Sequence, residues 1–103
     1  MMIYSISVTC KDLKEARKIS RVLLRSKLVG CANIIPNVES HYWWQGKIVK
    51  DIEVLLIFKT VSKNAAKTKK EIIRLHSYEV PCLTIQKVET NSESDKWLRE
   101  SVE

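Results

Sequence analysis

Five side chains in this 103-residue sequence carry donor atoms that bind transition metals, namely Cys10, Cys31, Cys82, His41 and His76. Thiolate and imidazole ligands suit copper and zinc ions. No two of the five stand at a Cys-x-x-Cys or His-x-x-x-His spacing, which would place two ligands side by side within one element. A metal site would therefore have to assemble in space, between distant segments or between symmetric copies of the chain.

Each of these residues also has a purely structural explanation. Free cysteine is among the most frequently buried residue types and packs as a small hydrophobe. His76 falls at the end of a predicted helix, where the helix dipole favours a cationic imidazole. Both interpretations stay open at this point. The odd number and wide spacing of the cysteines do not indicate a disulfide framework, so a reducing, cytoplasmic setting is expected.

Lysine and aromatic side chains form a second group with possible chemistry. Lys59 ends an apolar strand, where its ammonium group either binds an anion or extends to solvent. Tyr42, Trp43 and Trp44 are consecutive on a predicted strand, so Tyr42 and Trp44 share a face. Such rings stack on a ligand or, more often in a small domain, pack. The sequence offers no arguable Ser–His–Asp triad and no glycine-rich phosphate loop, so an enzyme is not expected.

The elements that must position these residues alternate between strands and helices. Period-two alternation predicts strands over 3–9, 31–44 with an interruption at Pro36, and 47–60, with a turn at Gln45-Gly46 and a shorter strand through Leu83, Ile85 and Lys87. Helical spacing predicts a helix from Asp12 to near Gly30, one over 63–76 capped by Ser62, and a C-terminal helix holding Lys96-Trp97-Leu98. The order indicates one α+β domain over 1–103, a ferredoxin-like β-α-β-β-α-β sandwich with an extra C-terminal helix.

The third predicted strand is apolar on both faces. Val54, Leu56 and Phe58 point one way, and Leu55 and Ile57 point the other. Two helices can cover one face of an antiparallel sheet, and its other face normally carries polar residues. An uncovered apolar patch usually marks a protein interface, so self-association is expected. The alternative is that the C-terminal helix folds across the open face.

The net charge of the whole chain is +6, and the positive charge is concentrated in the two long predicted helices. Residues 11–27 carry seven basic and two acidic side chains, and residues 62–76 carry five and one. The same element order builds an RNA-binding module, but RNA readers place stacking rings on the sheet, where Val54 to Ile57 is aliphatic. A nucleic-acid partner is therefore not expected. No apolar run reaches the length of a membrane span, and no signal peptide is apparent.

Several segments resemble the CutA family of divalent-cation-tolerance proteins. The similar segments extend over nearly the whole chain, which makes the resemblance far more specific than one short motif. They are Cys31-Ala32-Asn33-Ile34-Ile35-Pro36, Ser40-His41-Tyr42-Trp43-Trp44-Gln45-Gly46-Lys47-Ile48, Glu53-Val54-Leu55-Leu56, Lys59-Thr60, His76-Ser77-Tyr78-Glu79-Val80-Pro81 and Lys96-Trp97-Leu98. Ser77, Cys82 and the pair Ser94-Asp95 depart from the usual family pattern.

The resemblance implies a homotrimer built through the long second and third strands, with a role in tolerance of divalent metals. Copper binding, reported for some bacterial members, implies His76, Cys10 and Cys31 as ligands. Animal members are linked to membrane anchoring of acetylcholinesterase, so a protein-anchoring or small-molecule-sensing trimeric scaffold is the alternative function. The pocket and interface residues that we derive from the strand pattern and the resemblance are Asn33, Tyr42, Trp44, Leu55, Ile57, Lys59, Tyr78 and Glu79.

Overall fold

The structure, a computed structural model, describes all 103 residues. Its elements are β1 (Met2–Cys10), α1 (Leu13–Arg25), β2 (Cys31–Trp44), β3 (Lys47–Thr60), α2 (Ser62–Leu75), β4 (Leu83–Glu89) and α3 (Ser92–Ser101). The four strands form one antiparallel sheet in the order β2-β3-β1-β4. This is the α+β, ferredoxin-like arrangement that the sequence predicted. None of the three helices combines the length and apolar character that a membrane span requires.

One face of the sheet carries the main hydrophobic core, and we call it the covered face. Ile6 of β1 lies opposite Phe58 of β3, and both are fully buried together with Leu56. Ile19 of α1 and Ile72 of α2 belong to the same buried cluster. The two long helices therefore pack on the side to which the even-numbered residues of β1 and β3 project.

The two long helices begin in different ways. Asp12 accepts a hydrogen bond from the backbone N–H of Glu15 at 2.8 Å, which confirms the predicted cap of α1. The predicted cap of α2 is wrong, because Ser62 is already the first helical residue and Val61 occupies the N-cap without a side-chain hydrogen bond. Val61 is buried in a small apolar cluster, so packing rather than capping fixes the start of α2.

The first helix ends earlier than the sequence predicted. It stops at Arg25 instead of near Gly30, because Lys27 adopts a left-handed backbone conformation with φ of 58°. The N–H of Leu28 then donates back to the carbonyl of Leu23 at 3.1 Å, which is the six-residue closure common at helix ends. A lysine thus takes the place that glycine usually occupies.

The long hairpin of β2 and β3 has two irregular points, both predicted. β2 shifts register at Pro36–Asn37, where Asn37 has a positive φ of 60°. The two-residue turn consists of Gln45 and Gly46, with φ of 50° and 77°. Positive φ at both central residues is the type I′ geometry that matches the twist of a hairpin.

The opposite face of the sheet, which we call the open face, is covered only at one end. There, Leu98 of α3 packs against Ile3 and Val61 in a separate buried cluster. Leu55 and Ile57 are not members of that cluster and remain partly exposed. The terminal helix therefore shields one end of the open face and leaves the centre to other contacts.

Candidate functional site

The loop after α2 is held to the end of β1 by a histidine. His76, the C-cap of α2, is buried; its Nε2 lies 2.8 Å from the carbonyl oxygen of Thr9, and its Nδ1 accepts from the N–H of Tyr78 at 3.1 Å. Since Nδ1 accepts, Nε2 carries the proton and donates to Thr9. β4 pairs with β1 no further than Val8, so His76 binds the next free carbonyl of β1. The loop is thereby directed around the sheet edge toward the open face.

A buried glutamate supports the same loop from α1. Glu15 Oε2 accepts from the backbone N–H of Ser77 at 3.2 Å. Its Oε1 lies 3.8 Å from Nδ1 of His76 and has no hydrogen-bond donor. Ser77 is one of the departures from the usual family pattern, and its backbone N–H gives Glu15 a contact that a proline at this position could not provide.

Tyr78 crosses from this loop to the third strand. Its hydroxyl donates to Glu53 Oε2 at 2.8 Å, and Glu53 is only 6% exposed. Burial, followed by the hydrogen bond to the Glu53 carboxylate, raises the pKa of Tyr78 above its ordinary value. The phenol therefore stays protonated and donates to the carboxylate over the physiological pH range.

A second tyrosine–carboxylate pair lies beside the first, within the hairpin. The hydroxyl of Tyr42 on β2 donates to Asp51 on β3. That hydrogen bond raises the pKa of Tyr42 to about 12. Asp51 and Glu53 alternate along β3, so both point to the open face with Leu55. The two pairs thus place two carboxylates and two phenol rings next to each other.

These residues line a groove of about 600 Å³ where the open face meets the loop after α2. We call it the acidic groove, because three carboxylates line it and no lysine, arginine or histidine does. Four aromatic residues line it as well, and two of them, Tyr42 and Trp44, share the open face of β2; the other two are Trp43 and Tyr78. Its volume falls in the range of small-molecule sites. The arrangement provides hydrogen-bond acceptors, aromatic surface and the exposed thiol of Cys82.

The predicted pocket and interface residues separate into two groups. Tyr42, Trp44, Tyr78 and Glu79 line the acidic groove. The others lie further along the open face, where Asn33 is opposite Ile57 and its side-chain oxygen accepts from Nζ of Lys59 at 3.2 Å. Leu55, Ile57 and Lys59 alternate on β3 and follow directly on the acidic end of the strand. The two groups therefore adjoin along one strand but differ in character.

The predicted metal ligands do not converge within one subunit. Cys10 is fully buried, and burial, with Glu15 next, raises the pKa of its thiol to about 11, which disfavours the thiolate that a metal needs. Cys31 is partly exposed on the open face, with its sulfur 3.6 Å from Asn33 Oδ1. Both ring nitrogens of His76 are engaged by backbone groups. No group of three Cys, His, Asp or Glu side chains is placed to hold a metal ion.

Sequence reasoning missed the two carboxylates that define the groove. Asp51 and Glu53 stand in the first half of a strand whose second half is almost entirely apolar. A carboxylate on the same strand face as apolar residues is a signal that the sequence does contain, because a buried carboxylate needs a hydrogen-bond donor or a counter-ion. The partner, Tyr78, lies 25 positions away, and no local spacing indicates that pairing.

Comparisons with known proteins agree with this geometry. The family model of the CutA1 divalent ion tolerance protein matches residues 4–101. The divalent-cation tolerance protein CutA of Archaeoglobus fulgidus is 38% identical, over 95% of this chain and 96% of that protein. The corresponding protein of Thermotoga maritima is 39% identical, over 99% of this chain and 98% of that protein.

Solved structures extend the similarity to three dimensions. The divalent cation tolerance protein of Thermus thermophilus superposes with a TM-score of 0.92 at 36% identity, covering 100% of both chains. CutA from Xylella fastidiosa gives a TM-score of 0.94 at 32% identity, covering 98% of both. Family model, sequence and fold coincide over nearly the whole length, and the chain belongs to the CutA1 divalent ion tolerance family.

Proposed function

We propose that this protein acts in divalent-cation tolerance as a homotrimer of one-domain subunits, and that it works by binding and assembly rather than by catalysis. The observation that supports the proposal most strongly is that β3 is apolar on both of its faces. Leu56 and Phe58 are buried under α1 and α2, while Leu55 and Ile57 on the open face have no such cover. Partly exposed apolar side chains in the middle of a sheet favour an additional subunit as their cover.

The hairpin and the sheet edges support the same proposal. Near the turn, Trp43, Ile48 and Ile52 are 71%, 66% and 58% exposed, although all three are large and apolar. Trp43 lies directly opposite Ile48 in the ladder, so the two form a continuous apolar surface. β2 and β4 are both edge strands with unpaired backbone groups, which are ready to pair with another chain.

Measurement of the oligomeric mass tests the assembly. Light scattering coupled to gel filtration at micromolar concentration should give about three times the subunit mass of 11.9 kDa. A folded monomer at that concentration would contradict the proposal, because the open face would then be stable in water.

We further propose that copper or another divalent cation is bound as cargo between subunits. The three predicted ligands do not fit a site within one chain, but Cys31 lies on the face proposed for assembly, and thiolates bind copper strongly. Titration calorimetry with copper under reducing conditions should show weaker binding for Cys31→Ser and His76→Ala. Cys82→Ser changes the third free thiol, which is exposed and lines the acidic groove, and shows whether a thiol outside the proposed site contributes. Equal binding by all four proteins would remove Cys31 and His76 from the proposed site.

A reducing, cytoplasmic location is part of this proposal, supported by three cysteines that form no disulfide. The solved Archaeoglobus fulgidus structure is described as that of a periplasmic protein. Cell fractionation with a periplasmic marker decides between the two compartments, and recovery with the periplasmic fraction would overturn the proposed one.

A further inference from the structure

Glu53 is a buried carboxylate without a counter-ion. It is only 6% exposed, and no lysine, arginine or histidine forms an ion pair with it. One oxygen accepts from the hydroxyl of Tyr78; the other, Oε1, accepts no hydrogen bond from the protein and is not sealed from solvent. Burying a charge costs several kcal/mol unless an opposite charge compensates it. Glu53 lines the acidic groove, so a cation in the groove would supply the missing partner.

The groove around Glu53 suits a cation in two further respects. Asp51 and Glu79 add carboxylates at its walls, although the net charge of the whole chain is +6. Tyr42, Trp44 and Tyr78 line the same groove, and aromatic rings attract cations within about 6 Å of the ring centre. Buried charge, added acidity and aromatic walls thus coincide in one groove.

We propose that the acidic groove binds an organic cation, with an ammonium or guanidinium head against Glu53 and its carbon chain along the aromatic walls. A bare divalent metal ion fits less well, because calcium takes six to eight oxygen ligands and magnesium six. No group of three metal-ligating side chains is assembled there. The inference does not rest on the proposed metal cargo, and assembly enters it only as one of two sources of the cation.

Two sources can deliver such a head group, a free small molecule or a lysine or arginine side chain of a neighbouring copy. NMR titrations of the indole signals test whether a free small molecule binds. The titrants are butylammonium chloride, butylguanidinium chloride and neutral butanol. We expect a saturable shift of Trp44 with both cations and none with butanol. Trp97, which lies on α3 outside the groove, is the internal reference.

The decisive variant is Glu53→Gln, which keeps an acceptor for Tyr78 but removes the charge. We expect it to bind both cations at least about tenfold more weakly, the effect of losing about 1.4 kcal/mol. Glu93→Gln, the same change at an exposed position of α3, should leave binding unaltered. Equal affinity for butanol, or unchanged cation binding in Glu53→Gln, would overturn the proposal.

Oligomeric mass is measured on the same samples. If a neighbouring copy fills the groove, the free cations do not bind, and Glu53→Gln lowers the oligomeric mass while Glu93→Gln does not; this outcome supports the proposal with the second source. Absence of cation binding together with an unchanged mass of Glu53→Gln would overturn it. A monomeric wild-type protein that still binds the cations would contradict the trimer and leave the groove proposal supported.

Discussion

The two faces of one β-sheet differ in what covers them, although the central strand β3 is apolar on both. On the covered face, Leu56 and Phe58 are completely buried by helices of the same chain. On the open face, their neighbours Leu55 and Ile57 stay partly exposed, and α3 reaches only the far end of the sheet. Apolar character alone therefore does not identify the core of a subunit. It identifies surface that needs a partner, whether the partner belongs to the same chain or to another.

The open face itself changes character along β3. Its apolar part, around Leu55 and Ile57, passes within a few residues into the acidic groove, where Asp51 and Glu53 bind tyrosine hydroxyls. One face thus combines a surface suited to assembly with a surface suited to a charged ligand.

The largest effect is expected from a charge on the apolar part of the open face. Leu55→Asp should abolish assembly, because every interface would bury an unpaired carboxylate at a cost of several kcal/mol. Light scattering measures the loss directly. An assembled Leu55→Asp protein would show that the open face is not the interface.

A substitution in the core of the covered face should change the stability of the subunit itself. Phe58→Ala should lower the free energy of unfolding by about 3–5 kcal/mol, because it leaves a cavity in the fully buried cluster. Chemical denaturation checks this value. Ile73→Ala, which shortens an exposed residue of α2 away from the open face, should lower the free energy of unfolding much less. Equal losses for both variants would show that Phe58 contributes no more to stability than a surface residue does.

The hairpin turn sets which residues reach each face. Gly46→Ala should destabilise the fold by about 1–2 kcal/mol, because φ of 77° is strained for an L-residue, while the added methyl group meets no atom within 4 Å. Gln45→Asn, at the neighbouring left-handed position, should change stability in the opposite direction, since asparagine tolerates this conformation. Thermal unfolding distinguishes the two signs, and a neutral Gly46→Ala would mean that the turn relaxes.

The smallest effect concerns the helices on the covered face. Asp12→Ala should cost about 1 kcal/mol, because the cap of α1 is lost. Ser62→Ala should cost much less, because Ser62 makes no cap bond to α2. The two variants are compared by their denaturant midpoints, provided that the dependence of unfolding free energy on denaturant is the same. Equal losses would show that Ser62 does cap α2.

The period of the apolar residues along the sequence was sufficient to predict most of the fold. Alternation predicted the observed bounds of β3, 47–60, and the register shift and turn of the hairpin lie at Pro36–Asn37 and Gln45-Gly46 as predicted. The errors concern helix ends. Lys27 terminates α1 in a left-handed conformation that lysine rarely adopts, and Val61 starts α2 through packing. Both depend on contacts with remote residues, which local propensities do not contain.

Local pattern and family resemblance could indicate part of the groove, since they predicted Tyr42, Trp44, Tyr78 and Glu79 as pocket residues. Its electrostatics could not be predicted in this way. The sequence by itself determined the order of elements and the apolar character of both faces of β3, because side-chain alternation is a local property of an extended chain. Only the tertiary structure decided that α3 stops short of Leu55 and that Tyr78 meets Glu53, because such contacts depend on how distant segments pack together.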